Sequence, residues 1–438
     1  MKSPLPKTLT AFIWHFLKPY KLSVVAFICL AGCAGFWGPF NSMLIKHIIN
    51  ILPQVATEGI SLLNLPAAFI VLNFIIFDNV TWRGIGYIKY KHQVTMKTQI
   101  IRNTMDYILS ESHQFFQNNL SGRLFNQIKT LADNIELILY SLSQDFIKGA
   151  ALLIIAFITS YIVNPIFFYT LFLWFIAFSS FSLVMSKYLV SLADKHAEQE
   201  ALLAGQLVDC ITNHSNVRIF SKKAFELSRL NQFFLALQKA FQNKEQFTLI
   251  LYSVQGFMIA IMMGASAYFL IYLYGQGLIS IGDFALILGI AMELGHMIWY
   301  TMSRVDEFNQ AFGKCKQSLA ALMVPQEVMD RADAKALLIK NSSIAFDNVK
   351  FHYKGTEPLF QNLSVTIEAG TKVGLVGYSG SGKTTFVNLF LRLYDVTDGN
   401  IFLDGQEIRA VSQDSLRKNI ATIPQDPSLF DDLKAENT

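Results

Sequence analysis

Charge is scarce in this sequence. Asp, Glu, Lys and Arg make up 16% of its 438 residues, against about 25% in an ordinary soluble protein. Hydrophobic residues reach 52%, with 37 Phe among them. Two or three soluble domains have no interior large enough for that excess, and a bilayer is the solvent that accepts it. The formal charge of +4 comes without any Lys/Arg block, which argues against nucleic acid as a partner. A mild basic excess suits a chain lying beside anionic lipid headgroups. Cysteine is rare as well: Cys29, Cys33, Cys210 and Cys315 form no C-x-x-C pair, so no disulfide framework is expected. Cys29 and Cys33 share a helix face and are expected to pack rather than to hold a metal. No cleavable signal is expected either. The apolar run that follows Lys2, Lys7 and Lys18 is too long for a signal core and reads as a span that stays.

About twenty mostly apolar residues cross ~30 Å of hydrocarbon. Six windows reach that length: Leu22–Ile45, Leu62–Ile88, Asp145–Val163, Ile166–Leu189, Thr248–Tyr274 and Ile279–Met302. Asn164-Pro165 alone separates the third from the fourth, and a turn at Gly275-Gln276-Gly277 the fifth from the sixth. The second-to-third and fourth-to-fifth connections are each about sixty residues, polar and helical in period. Lys18, Lys21, Lys89, Lys97, Arg123, Lys187 and Arg218 lie in the N-terminus and these long connections, whereas the tight turns carry no charge. The positive-inside rule then puts both chain termini and both long connections in the cytoplasm of a multi-pass cell-membrane protein. A bacterial inner membrane is the expected location. The third window is the weakest because Lys148 lies near its start, and without it the flanks would fall on opposite sides. Asp78, Glu293 and His296 lie in or near apolar windows, where an unpaired charge is costly. Glu293 and His296 either face a common aqueous cavity and touch a substrate or proton, or bond to neighbouring helices, or are wetted by the cavity without function.

The texture changes near Met323. Pro325 closes a transmembrane domain of residues 1–325, and Asp330, Arg331, Asp333 and Lys335 mark a linker over 326–341. A soluble α/β domain is expected over 342–438, with strands at Ser343–Phe351, Leu363–Ile367 and Lys372–Val376. The fold class is thus a membrane α-helical bundle of six spans with long cytoplasmic extensions, followed by a partial α/β P-loop domain. Gly377-Tyr378-Ser379-Gly380-Ser381-Gly382-Lys383-Thr384 fits G-x-x-x-x-G-K-[ST] in full, after an apolar strand and before the helical run Thr385–Leu393. Glycines let the backbone curl so that successive N–H groups point at phosphate oxygens, helped by the helix N-terminus. Lys383 is expected to reach the β- and γ-phosphates and the Thr384 hydroxyl to ligate Mg²⁺.

The residues around the loop are more telling than the loop. Val349-Lys350-Phe351-His352-Tyr353, Leu363–Gly370, the loop continued to Thr385, Tyr394-Asp395-Val396-Thr397-Asp398-Gly399 and Leu403-Asp404-Gly405 together resemble the start of an ABC-transporter nucleotide-binding domain. Ser415-Leu416-Arg417 and Ile423-Pro424-Gln425-Asp426-Pro427 resemble the approach to its Q-loop. Phe115–Leu124 is similar to the first coupling segment of exporter-type members, and Ser215–Phe220 to the second; Ile281-Gly282-Asp283 before the sixth span also fits. The resemblance implies a half-transporter that binds Mg-ATP and works with a second half-transporter subunit, as homo- or heterodimer. It implies that Tyr353 stacks on adenine and that Gln425 touches Mg²⁺ or the attacking water, joining Lys383 as a catalytic residue. Lipids, lipid-linked molecules, peptides and amphipathic drugs are all cargoes of this architecture.

In the family, the signature segment, the Walker-B Asp with its catalytic Glu, and the switch His all come later than Thr438. A homodimer of these 438 residues alone is expected to show little ATPase activity, since general-base assistance by itself contributes about 10²–10⁴-fold. The alternative reading is therefore a nucleotide-binding but non-hydrolysing membrane protein, or an inactive fragment of a split transporter gene. A membrane-tethered kinase is disfavoured by the ABC-like flanks.

Overall fold

The structure is a computed structural model that describes residues 5–423. Among these, six helices are long and apolar enough to cross a membrane: Leu9–Val55, Ile60–Leu109, Ser121–Val163, Pro165–Thr212, Lys223–Gly275 and Gly282–Leu322. Five of the expected windows lie within one of them, and the sixth, Ile279–Met302, does so from Gly282 onward. The two long connections turn out to be the same helices carried on past the hydrocarbon, as their polar helical period requires. The weak third window holds, because Lys148 continues a helix that has already begun at Ser121.

Contacts divide the chain into two units: Met1–Ile100 with Thr130–Leu319, and Ile101–Lys129 with Ala320–Thr438. In the first, α1 (Leu9–Leu17) buries Phe12 and Phe16, and a single 3₁₀ turn around Pro19 leads into α2 (Lys21–Ala34). A break at Gly35-Phe36 precedes α3 (Trp37–Glu58). The second long helix is α4 (Asn64–Asn73), α5 (Thr81–Ile88) and α6 (Val94–Leu109), joined by π-helical segments Phe74–Val80 and Lys89–Gln93. After short α7 (His113–Asn118), which with the end of α6 and the start of α8 belongs to the second unit, the third long helix is α8 (Ser121–Ser141), a π-helical segment Leu142–Ile147, and α9 (Lys148–Val163). Asn164 then caps α10 (Pro165–Thr212) by accepting from the Ile166 N–H at 3.1 Å, with Pro165 in the first turn where no N–H is needed. Short α11 (His214–Ile219) leads to α12 (Lys223–Gly275), and a turn through left-handed Gly277 leads to α13 (Gly282–Leu322).

An apolar cluster holds this bundle: Leu152 and Ala156 of α9, Trp174 and Phe178 of α10, Met262 of α12, and Ile290 and Leu294 of α13. Apolar packing gives no register in a bilayer, so the polar contacts matter more. The Trp174 indole donates to the Met258 carbonyl at 2.9 Å, and Gln255 donates to the Ser182 hydroxyl at 3.0 Å. Lys46 on α3 pairs with the buried Asp283 on α13 at 2.5 Å.

The second unit contains an antiparallel sheet in the order β2-β1-β3-β4, from β1 (Ile344–Phe351), β2 (Phe360–Ile367), β3 (Asp398–Leu403) and β4 (Gln406–Glu407). Phe346, Val349, Ile401 and Leu403 are buried on it, together with Leu389 of α14 (Lys383–Phe390) and Leu416 of α15 (Gln413–Lys418). Phe346 and Phe386 stack at 4.2 Å, which fixes α14 on the sheet. Asp404 and Gly405, both left-handed, form the tight turn between β3 and β4.

One expected strand is absent. Lys372–Val376 pairs with no strand among the described residues, and Val376 is 97% exposed. An apolar run specifies that a segment is to be buried on both faces, but a strand exists only through its ladder partners.

The segment 326–341 is no free tether. The Lys335 N–H donates to the Ala410 carbonyl, the Leu337 N–H to Ser415, and the Lys340 and Asn341 N–H groups to Asp404. Arg392, whose side chain is 2% exposed, reaches Asp330 at 3.2 Å and the Met329 carbonyl at 2.8 Å while also bonding Asp395 at 3.0 Å.

Candidate phosphate-binding site

The phosphate loop owes its shape to glycines. Gly380 and Gly382 take φ of +84° and +92°, in the left-handed region that side chains avoid. A Cβ on Gly382 would also lie 2.8 Å from the Phe360 ring of β2. Gly382 stands at the N-cap of α14, so the helix begins at Lys383 with its free N–H groups facing the loop. Lys383 folds back across the loop and donates to the carbonyls of Gly377 at 2.8 Å and Tyr378 at 2.7 Å. An ammonium carries three donors, and the third reaches the Ser381 hydroxyl only at 3.5 Å, so this arrangement holds the charge in the mouth of the loop with one donor free to turn to an anion.

Tyr353, Ser379, Gly380, Gly382, Lys383, Thr384 and Thr385 line one open cleft of about 850 Å³, joined by Thr356, Glu357, Pro358 and Leu359. Gly377 and Ser381 shape the loop behind it, and Tyr378 is 92% exposed outside it. The Tyr353 hydroxyl bonds the Thr385 hydroxyl at 2.9 Å, and its ring meets Phe351 and Tyr394 edge-on at 5.0 and 5.3 Å. Thus an aromatic ring, a cationic loop mouth and an exposed threonine hydroxyl border the same space. A flat base and a chain of phosphates fit that set of groups. The loop also fits Mg²⁺ as a companion ion, since Thr384 offers an oxygen beside Lys383. Gln425, expected to share that ion, lies outside the described residues.

Sequence reasoning passed over the wall at Thr356–Leu359, because a short polar loop between two strands carries no motif. It also missed what Tyr394 does. Its hydroxyl donates to Gln117 on α7 at 3.0 Å, and its ring meets that of His113 edge-on at 5.9 Å. Burial pushes the Tyr394 phenol above its usual range, with Tyr353 and Glu327 adding to it, so the hydroxyl remains a donor at neutral pH. The first coupling-like segment is therefore in contact with the turn that follows α14. The second, around α11, presents Ile219 and Phe220 to the outside at 74% and 67% exposure.

Glu293 and His296 differ in their immediate surroundings. The Glu293 carboxylate occupies the room that a side chain on Gly38 would need, whereas His296 is exposed. Residues three apart on a helix are about 60° from alignment, and a close crossing at a glycine is enough to separate their surroundings. No group of three or more His, Cys, Asp or Glu side chains among the described residues is placed to hold a metal ion.

Comparison with known proteins agrees along the chain. The family model for the ABC transporter transmembrane region matches residues 24–297, and that for the ABC transporter domain matches 360–438. An ABC transporter ATP-binding protein of Haemophilus influenzae, itself uncharacterised, is 26% identical over 74% of this chain and 53% of its own length. A mitochondrial iron-sulfur clusters transporter of Debaryomyces hansenii is 32% identical over 56% of this chain and 35% of its own. The chain spans about half the length of such relatives or less. A solved bacterial Atm1-family ABC exporter with ATP bound superposes with a TM-score of 0.75 at 22% identity, covering 94% of this chain and 72% of that one, so the two share a fold. With six long apolar helices among the described residues and the transmembrane-region model matching more than half of its length, the chain belongs to the ABC transporter family.

Proposed function

We propose that this chain is a component of an ATP-driven exporter: a half-transporter that holds Mg-ATP at its phosphate loop and works beside a second half-transporter subunit. The observation that carries the proposal is the cleft bordered by Tyr353, Lys383, Thr384 and Thr385, on the same chain as six membrane-spanning helices. In this reading residues 1–325 form the membrane domain, 326–341 the connection, and 342–438 the first part of the ATP-binding domain. Tyr353 stacks on the base, the N–H groups of Gly377 to Thr385 cradle the phosphates, Lys383 neutralises them, and Thr384 with Gln425 holds the metal ion. Mg-ATP supplies the phosphoanhydride bond whose cleavage drives transport. These residues bind and orient it, and the Lys383 charge is pre-placed so that little reorganisation is needed.

A second subunit is supported by the surface. Between the membrane region and α11, helices α10 and α12 leave Val208, Ile211 and Phe225 more than 60% exposed. Exposed apolar area of this kind marks an interaction site. Orientation with both termini in the cytoplasm, in a bacterial inner membrane, rests on the Lys and Arg distribution. Cargo is proposed only as a class of amphipathic molecule, in keeping with the aromatic-rich spans.

The test is equilibrium binding of a fluorescent ATP analogue with Mg²⁺ to the full chain in lipid nanodiscs. Lys383→Ala removes charge-assisted hydrogen bonds worth about 1.5–3 kcal/mol, a weakening of about 10- to 150-fold. Tyr353→Ala removes a stack worth about 1–3 kcal/mol. Affinity unchanged by Lys383→Ala overturns the assignment of the loop.

A further inference from the structure

A pocket distant in sequence from the phosphate loop is built at the corner where α1 turns into α2. Its walls are apolar: Val24 and Phe27 of α2, Met96 of α6, Leu139 of α8 and Ile147 at the end of the π-helical segment before α9 enclose about 200 Å³. Among the described residues, polar groups at the lining are Tyr20, Ser23, Lys89, His92, Gln93 and Ser143, and no carboxylate lines the space. The Tyr20 and His92 rings meet at 5.0 Å, and the Lys89 ammonium lies 4.2 Å from the centre of the Tyr140 ring.

Two further features point to a ligand. Both π-helical segments nearest the pocket, Lys89–Gln93 and Leu142–Ile147, contribute to its lining. A π turn gives up regular helix bonding and is found most often at functional sites. The surroundings are cationic: Lys18 and Lys21 bracket Tyr20 in the chain, and Lys91 lies between Lys89 and His92. Glu136, the acid that acts on Lys89, is already engaged by Lys97 at 3.1 Å. Exposed Trp14, Tyr87, Tyr90 and Tyr140 mark this level as a membrane–water interface.

We infer that this pocket is a site for one anionic membrane phospholipid, with an acyl chain between α2, α6 and α8 and its headgroup phosphate at Lys89 and His92. An apolar cavity with a cationic rim at headgroup depth matches such a lipid in both parts. A zwitterionic lipid satisfies the walls but gains less from the rim, and a free phosphate satisfies the rim alone.

Native mass spectrometry of the purified full chain tests the inference, using dioleoylphosphatidylglycerol, dioleoylphosphatidylcholine and inorganic phosphate as separate probes. One phosphatidylglycerol is expected to stay bound at collision energies that strip phosphatidylcholine, and phosphate alone is expected not to bind. Lys89→Gln with His92→Gln, which keeps size and polarity, should lower phosphatidylglycerol retention about tenfold without changing the unfolding midpoint. Val24→Trp should block the space and abolish retention of either lipid, whereas Lys239→Gln, on α12, should change nothing. Equal retention of the two lipids, retention unaffected by the paired Gln variant, or filling of the groove by a second copy of the chain in place of lipid would each overturn it.

Discussion

Replacing Arg392 with alanine should release the connection at 326–341 from the nucleotide-binding unit. Arg392 follows α14 in a left-handed conformation, φ +49°, and sends five hydrogen bonds to Asp395, Asp330 and the carbonyls of Met329, Ile408 and Val411. Two of these, to Asp330 and Met329, are all that tie the guanidinium to the connection. Each charge-assisted bond is worth about 1.5–3 kcal/mol, so at least about 3 kcal/mol of local stability is at stake. Backbone strain contributes nothing to the difference, since alanine at this φ is strained as arginine is. Three kcal/mol corresponds to roughly a hundredfold more frequent local opening.

Amide hydrogen exchange on the full chain reads this directly. Exchange should rise about a hundredfold at Gln413, whose N–H donates to Asp330 at 3.1 Å, and at Lys335, whose N–H donates to the Ala410 carbonyl at 3.1 Å. Lys340 and Asn341, held independently by Asp404 at 2.7 and 2.9 Å, should change far less. Phe346 and Val349 in β1 must stay protected, which shows that the sheet remains folded. Arg392→Lys should fall between, because an ammonium offers three donors from one point. Exchange at Gln413 and Lys335 within about threefold of the wild type would refute the hub.

Three other outcomes are expected. Gly382→Ala places a methyl group 2.8 Å from the Phe360 ring at φ +92°, which costs about 1–3 kcal/mol, so nucleotide affinity should drop about 5- to 150-fold; unchanged affinity would mean that the loop tolerates side chains there. Lys46→Met strands the Asp283 carboxylate, 5% exposed and 2.5 Å from the lysine, and should destabilise the bundle by about 3 kcal/mol in detergent unfolding, with partial recovery on adding Asp283→Asn; equal midpoints for Lys46→Met and wild type dismiss the pair. The Asp404 carboxylate accepts from the N–H groups of Ser342, Lys340, Asn341 and Ser343 and is thereby held far below the usual carboxylate range. Its stabilisation is complete above the unfolded value of about 4 and is lost only as pH falls through the depressed folded value; a carboxyl ¹³C titration with a midpoint near 4 would contradict this.

Much of this protein is written locally. Twenty-residue apolar runs must cross or avoid water as units, so six spans follow from composition and length alone. Asn164-Pro165 dictates a helix start and Gly380 and Gly382 a left-handed loop because caps and φ constraints act within a few residues. The whole Gly377–Thr385 motif was legible for the same reason, and Tyr353 through its family resemblance. What partners a segment is a different matter. Nothing in Lys372–Val376 states whether a ladder neighbour lies beside it, and it pairs with none of the described strands. Glu293 and His296 share a helix face by count, yet Gly38, more than two hundred residues away, takes one and leaves the other. The connection over 326–341 reads as polar and unstructured, and only Arg392, Asp404 and Ser415 reaching back across 60 to 80 residues make it a fixed strap. Short-range sterics and hydropathy belong to the sequence, whereas burial, pairing and charge neutralisation arise between residues that only the tertiary fold brings together.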